Sequence, residues 1–201
     1  YKEGNLELSQ GIYDVYIERI AKTEPKEKLI PILINIAKNF SYSAVGGSAL
    51  GGKDEGKKDA YYAEKIFKKI EEIGTKNAFD EQLSYLRAFN VEKIKEYPRA
   101  KDFYLDLLQR YPETKYADEA YFKAGIISTY VLRDIKTGRD YFKKLAQKEI
   151  LSPQVISGLY QLGLLNQWEN DLATAKDYYN SLLEKAGPVR NTESLGGENK
   201  I

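Results

Sequence analysis

The residues with the best spacing for chemistry lie in the stretch GSALGGKD, which starts at Gly47. It has the Gly-four-residues-Gly-Lys pattern of a loop that cradles phosphates. Such a loop continues with Ser or Thr, whose hydroxyl holds magnesium. Here the next residue is Asp54, whose carboxylate would point at the phosphates themselves. The stretch therefore reads as a flexible Gly-rich loop. Asp54, Glu55 and Asp59 could supply oxygen to calcium, but they miss the positions 1, 3, 5 and 12 of a calcium-binding loop and read as solvated acids. Pairs drawn from the 30 Asp and Glu residues could serve glycoside chemistry, yet none is set in apolar surroundings that would raise a carboxyl pKa. The chain has no His and no Cys. That removes the commonest general base, the commonest metal ligands and the thiolate nucleophile together. No catalytic residue, metal ligand or cofactor site is assigned.

The charges also balance, at a net +1, so no electrostatic pull toward nucleic acid or an anionic membrane is expected. No apolar run is long enough to span a bilayer; the longest, near Leu29, is interrupted by Pro31 and Asn35. The opening at Tyr1, without Met or a basic and apolar leader, reads as a trimmed or processed product.

What dominates the sequence is self-similarity. AEKIFKKIEEIG, AKDFYLDLLQRYP, GRDYFKKLAQKE and AKDYYNSLLEKAG begin at Ala63, Ala100, Gly138 and Ala175, at intervals of 37, 38 and 37 residues. Each has an aromatic four residues after the small one (Phe67, Tyr104, Phe142, Tyr179) and an aliphatic three further on (Ile70, Leu107, Leu145, Leu182). Those offsets place all three on one helical face. A second series, Ala88, Gly125 and Gly163, precedes the later members by 12 or 13 residues inside other apolar helical patterns. Each unit is thus a first helix, A, then a turn, then a second helix, B. Small residues would let the two helices cross closely, and the aromatic would fill the wider gap one turn on. Turns are expected at Tyr97-Pro98, Lys136-Thr137-Gly138 and Asn170-Asp171. Tyr111-Pro112 should end one B helix, Ser152-Pro153 should open the last A helix, and Gly187-Pro188 should end the last B helix. GIYDVYIERIAKTEP, from Gly11, reads as a further B helix. The segment from Lys28 to Leu50 reads as an A helix fraying into a loop, GGSALGGKDEG from Gly46. The chain divides into irregular N-terminal helices over 1–56, repeats over 57–188 and a tail over 189–201.

Paired helices with this order of small, aromatic and proline positions resemble the tetratricopeptide repeat. RYPETKYADEAYFKAG, from Arg110, is similar to the junction of a bacterial envelope subgroup, the outer-membrane assembly lipoproteins and the periplasmic Tol-Pal coordinator. The matching residues are Tyr111, Pro112, Tyr116, Ala117, Ala120 and Tyr121. The resemblance covers residues 57–187 well and the first 56 poorly. It implies an all-α right-handed superhelix of hairpins, a protein or peptide partner, and a periplasmic or outer-membrane-associated setting. It also implies that Tyr85, Phe122 and Tyr160, three residues before each A-helix small residue, face a concave groove. Tyr130 and Trp168, five residues after it, would join them, where the first unit has Lys93. Aromatics in a groove suit a partner's helix or extended segment; burial between neighbouring repeats is the alternative. The reading that follows is a non-enzymatic scaffold or adaptor. An accessory domain of a larger enzyme and a ligand-binding solenoid are the other two readings.

Overall fold

The computed structural model describes residues 6–46, 53–74 and 79–187, and among these every regular element is helical. The order is α1 (Leu6–Thr23), α2 (Lys26–Gly46), α3 (Lys53–Ile73), α4 (Glu81–Lys93), α5 (Tyr97–Arg110), α6 (Ala117–Ile126) running into a π turn (Ile127–Val131), α7 (Ile135–Ala146), α8 (Pro153–Trp168) and α9 (Leu172–Ala186). Consecutive helices pack as hairpins, α2 on α3, α4 on α5, α6 on α7 and α8 on α9, and each hairpin packs on the next. The result is the tetratricopeptide-like α–α superhelix that the repeat pattern implies. On the A side, α2 also touches α4 and α6 touches α8. That closer approach puts the A helices on the inner side of the array.

The Gly-rich region is more helical than its composition suggests. Helix α2 runs to Gly46, and α3 already includes Lys53 to Gly56; residues 47–52, with most of the phosphate-loop pattern, lie outside the described residues. The tail over 189–201 lies outside them too. Gly56 is buried in α3, and a Cβ there would stand 3.4 Å from the Ala44 carbonyl and the Lys93 side chain, at ordinary contact distance. Pro31 lies inside α2 without ending it.

The repeat positions do the work expected of them, with one refinement. Each B-helix aromatic lies directly over the A-helix small residue rather than a turn beyond it. A Cβ on Gly125 would fall 2.5 Å from the Phe142 ring, and one on Gly163 would meet the Tyr179 ring. Ala88 and Tyr104 share the equivalent core of the first complete unit, both fully buried.

Two of the expected turns are displaced. Tyr97-Pro98 and Lys136-Thr137-Gly138 form the first turns of α5 and α7, where a proline or a capped Thr N–H loses nothing, because the first four amides have no helical partner anyway. The actual turns centre on Lys95, Arg133 and Asn170, all left-handed, with φ of 67°, 58° and 61°. The residue after each is the cap: Asp134 accepts from the Thr137 amide and Asp171 from the Thr174 amide, both at 3.1 Å. Ser152 caps α8 through the Val155 amide at 3.2 Å. Tyr111 and Gly187 end α5 and α9 as anticipated.

The 38-residue interval has a structural cause. In the first and third units the cap amide bonds five residues back, Glu96 to Val91 and Asp171 to Asn166; in the second, Asp134 bonds six back, to Ser128, at 2.8 Å. The extra residue is absorbed as the π turn, whose Leu132 amide reaches Ile127 at 2.9 Å. Three consecutive residues are buried there, Ile127, Ser128 and Thr129, where the other units bury two. The Ser128 and Thr129 hydroxyls have no hydrogen-bond partner among the described residues. Thr129 also occupies the space where a Cβ at residue 138 would stand, and the Gly125 carbonyl is 2.9 Å from that point. This explains why Gly138 replaces the alanine found at 63, 100 and 175. The insertion and the glycine form one coupled unit. Gly138→Ala should therefore destabilise by about 2–3 kcal/mol through overpacking. Deleting Ser128 restores the 12-residue spacing, and in that background the same alanine should cost under about 1 kcal/mol. Urea unfolding of the four proteins in a double-mutant cycle measures the difference; equal penalties in both backgrounds would disprove the coupling.

Candidate partner-binding face

The five aromatics proposed for the groove separate into two groups. Tyr85 and Phe122 are half-buried between repeats. The Tyr85 ring stacks on Tyr116 at 4.3 Å and 8°, joining α4 to the junction before α6. Burial, with the charges of Glu119 and Glu92 adding to it, pushes its hydroxyl pKa up to about 12. Phe122 packs on Phe142 at 6.2 Å and against the core of the last two hairpins. Tyr130, Tyr160 and Trp168 face solvent, at 40%, 48% and 65% exposure. Tyr130 meets Trp168 edge-on at 6.0 Å and 90° and donates its hydroxyl hydrogen bond to Gln161 Oε1. Tyr160 lies 6.1 Å from Tyr179. Counted from the small residue, Tyr130 aligns with Trp168; counted from the turn, it aligns with Gln167, because the π turn shifts the register by one.

The junction residues that carried the envelope resemblance are structural. The Tyr111 hydroxyl donates to the Phe79 carbonyl at 2.7 Å, Tyr116 is the stacking partner of Tyr85, and Ala117 and Ala120 are on the buried face of α6. They report how repeats join, which is why they say more about fold than about location.

Spacing did not reveal the buried ionic centre. Arg87 is 5% exposed and lies between Glu64 and Glu71. It meets Glu64 through Nε at 3.1 Å and Nη2 at 3.2 Å, and Glu71 through both terminal nitrogens. Its guanidinium sits 4.4 Å from the Phe103 ring centre. Arg99 adds a second cation to Glu64 at 2.6 Å. Burial lowers the Arg87 pKa, but hydrogen bonds to Glu71 and Glu64 outweigh it and raise the value. A signal was present: Arg87 stands where the other A helices bury Ala124 and Leu162, and Glu64 where the other B helices carry Lys101, Arg139 and Lys176. Two reversals at contacting positions mark an internal pair. Among the described residues no group of three or more metal-ligating side chains converges. Beside the ion pairs a cleft of about 270 Å³ is lined by Glu71, Phe79, Arg87, Phe103 and Arg110.

A further ion pair links α6 to the loop before α8. Asp118 receives hydrogen bonds from Lys148 and, at 2.6 Å, from the Ser152 hydroxyl. Burial raises its pKa, but these two partners outweigh burial and hold the carboxyl below its ordinary value.

Residues 157–186, most of the last hairpin, match the tetratricopeptide repeat family. No curated protein matches the chain in sequence. Among solved structures it is similar to MamA from Desulfovibrio magneticus RS-1, residue 41 to the end, and to a double mutant of the RS-1 MamA. Each is 18% identical with a TM-score of 0.53, over 88% of this chain and 94% of that one. At such identity the likeness is one of fold. The fold class is therefore a tetratricopeptide-like array of helical hairpins, with the repeat family itself matched in the last hairpin. No helix among the described residues is long and apolar enough to cross a membrane.

Arg87→Ala leaves Glu64, itself 3% exposed, with only Arg99 as a cationic partner. The expected loss is about 3–5 kcal/mol in urea unfolding; a loss under about 1 kcal/mol would mean the pair is dispensable. For Asp118, folding favours the ionised form. Its contribution is fully present above the unfolded pKa near 4 and fades as pH falls through the lowered folded value. The stability gap between wild type and Asp118→Asn should stay constant above about pH 5 and close toward about pH 3. A gap that persists unchanged in acid would rule this out.

Proposed function

We propose that the chain is a scaffold that binds partner proteins through the inner side of its helical array. The carrying observation is the cluster of Tyr130, Tyr160 and Trp168, three large aromatics left in solvent on the last two A helices. Exposed aromatics grouped on a rigid surface are the residue types that dominate contact energy in interfaces. The tetratricopeptide match in α8 and α9 supports the same reading, since these helices carry two of the three. Tyr85 and Phe122 serve it by holding the repeats in register, as their ring contacts suggest. A bacterial envelope setting rests on the junction from Arg110 alone, and the scaffold reading does not depend on it.

A photo-crosslinking residue in place of Trp168 should capture discrete partners in cells, while the same residue in place of exposed Lys176 on the outer helix α9 should not. Tyr130→Ala with Trp168→Ala should weaken the captured partner about tenfold or more, with the melting temperature within a few degrees of wild type. Equal capture from both positions, or unchanged affinity in the double variant, would defeat the proposal.

A further inference from the structure

The helix that carries Tyr160 and Trp168 has no charge of its own; the ions beside it are Glu169, directly after it, and its partner Arg139, paired at 2.6 Å. Helix α8 is 16 residues long and contains no Asp, Glu, Lys or Arg, although the 30% charged composition of the chain would put about five there. Residues 124–132, which include the π turn beside it, contain none either. A solvent-facing helix ordinarily carries ions, because they are the cheapest groups to leave in water. Depletion of charge together with exposed aromatics is the composition of an interface centre. Ions on the inner surface are paired between α4 and α6. There Glu92 accepts from Lys123 and from the Tyr104 hydroxyl, both at 2.7 Å, and Lys93 donates to the Ala44 carbonyl at 2.7 Å.

The polar groups on this face of α8 are unequal in kind. The Gln161 oxygen is taken by the Tyr130 hydroxyl, and the Gln167 oxygen by the Tyr179 hydroxyl at 3.2 Å. The two amide NH2 groups and the Trp168 indole N–H are left as donors; none has a partner within the described chain. The face therefore offers hydrogen-bond donors and ring surfaces, and asks for carbonyl acceptors and apolar side chains. A polypeptide that presents carbonyls with few N–H groups is a proline-rich segment in the extended polyproline helix. Its pyrrolidine rings pack on Tyr and Trp, and it loses little entropy on binding. An ionic side chain placed on these rings would be desolvated beside Arg139 and Glu169, whose charges are already paired with each other.

We propose that this face binds an uncharged, proline-rich extended segment, held by Tyr130, Tyr160 and Trp168 and by the Gln161, Gln167 and Trp168 donors. The proposal rests on the scaffold reading and names its partner class. The chain has one Trp, so intrinsic fluorescence reports this face directly. The probe is a capped peptide of Pro-Pro-Leu repeats, about twelve residues long. Comparison peptides carry Glu or Lys in place of each Leu, and a Leu/Ala peptide of equal length is helical. The neutral proline peptide should shift Trp168 emission saturably, with affinity changing less than about twofold between roughly 50 and 500 mM salt. Gln161→Leu and Tyr130→Ala should each weaken it about fivefold or more without loss of helicity. Absence of saturable binding, tighter binding of a charged or helical peptide, or steep salt dependence would overturn the proposal. Crosslinking at Trp168 together with no proline-peptide binding refutes the partner class alone; absence of crosslinking refutes the scaffold reading beneath it.

Discussion

Close approach between helices A and B of each hairpin is the constraint on which the array depends. It is achieved by a ring lying on a residue that has no side chain to resist it, Phe142 over Gly125 and Tyr179 over Gly163. A ring seated in this way fills the gap between the two helices and fixes their crossing point. Because the same contact recurs, each unit presents nearly the same apolar flank to the next. No unit has enough apolar face to stand alone, so stability comes from stacking.

The tolerance of this scheme shows in the second unit. An additional residue in a helix would rotate everything beyond it by about 100° and turn the next hairpin away from its neighbours. Confining it to a π turn keeps the left-handed turn residue Arg133 and the cap Asp134 in register with Asn170 and Asp171. The penalty is local: two buried hydroxyls without partners, and a glycine at 138 where the other units have alanine. Strain is held where the chain can absorb it, and the stacking contacts beyond it are undisturbed.

Charge is distributed unevenly along the array. Toward the first units a buried set of ions, Arg87, Glu64, Glu71 and Arg99, ties α3, α4 and α5 together. A buried network of this kind favours one arrangement of the three helices over alternatives that would strand a charge. Toward the last units, α8 has no ions and its exposed positions are aromatic or amide. The same repeat thus forms an ion-locked joint at one end and an aromatic, amide-rich inner surface at the other.

Periodicity alone was sufficient for the hairpins, because a small residue, an aromatic and an aliphatic at 37-residue intervals can be satisfied only by equivalent helical pairs. The ends marked by Tyr111, Ser152 and Gly187 followed from cap and proline chemistry, which is local. The turns at Lys95 and Arg133 did not, since left-handed geometry there is carried by residues with no preference for it and is imposed by the packing of the flanking helices. Glycine content likewise misjudged Lys53 to Gly56, which belong to the first turn of α3. The candidate site was half legible. Tyr85, Phe122, Tyr130, Tyr160 and Trp168 were recognisable as a repeated set, but counting along the chain cannot tell a ring stacked between repeats from one in solvent. Tertiary structure made that division, by placing Tyr116 over Tyr85 and Phe142 against Phe122 and by shifting Tyr130 one position through a π turn that no spacing rule assigns.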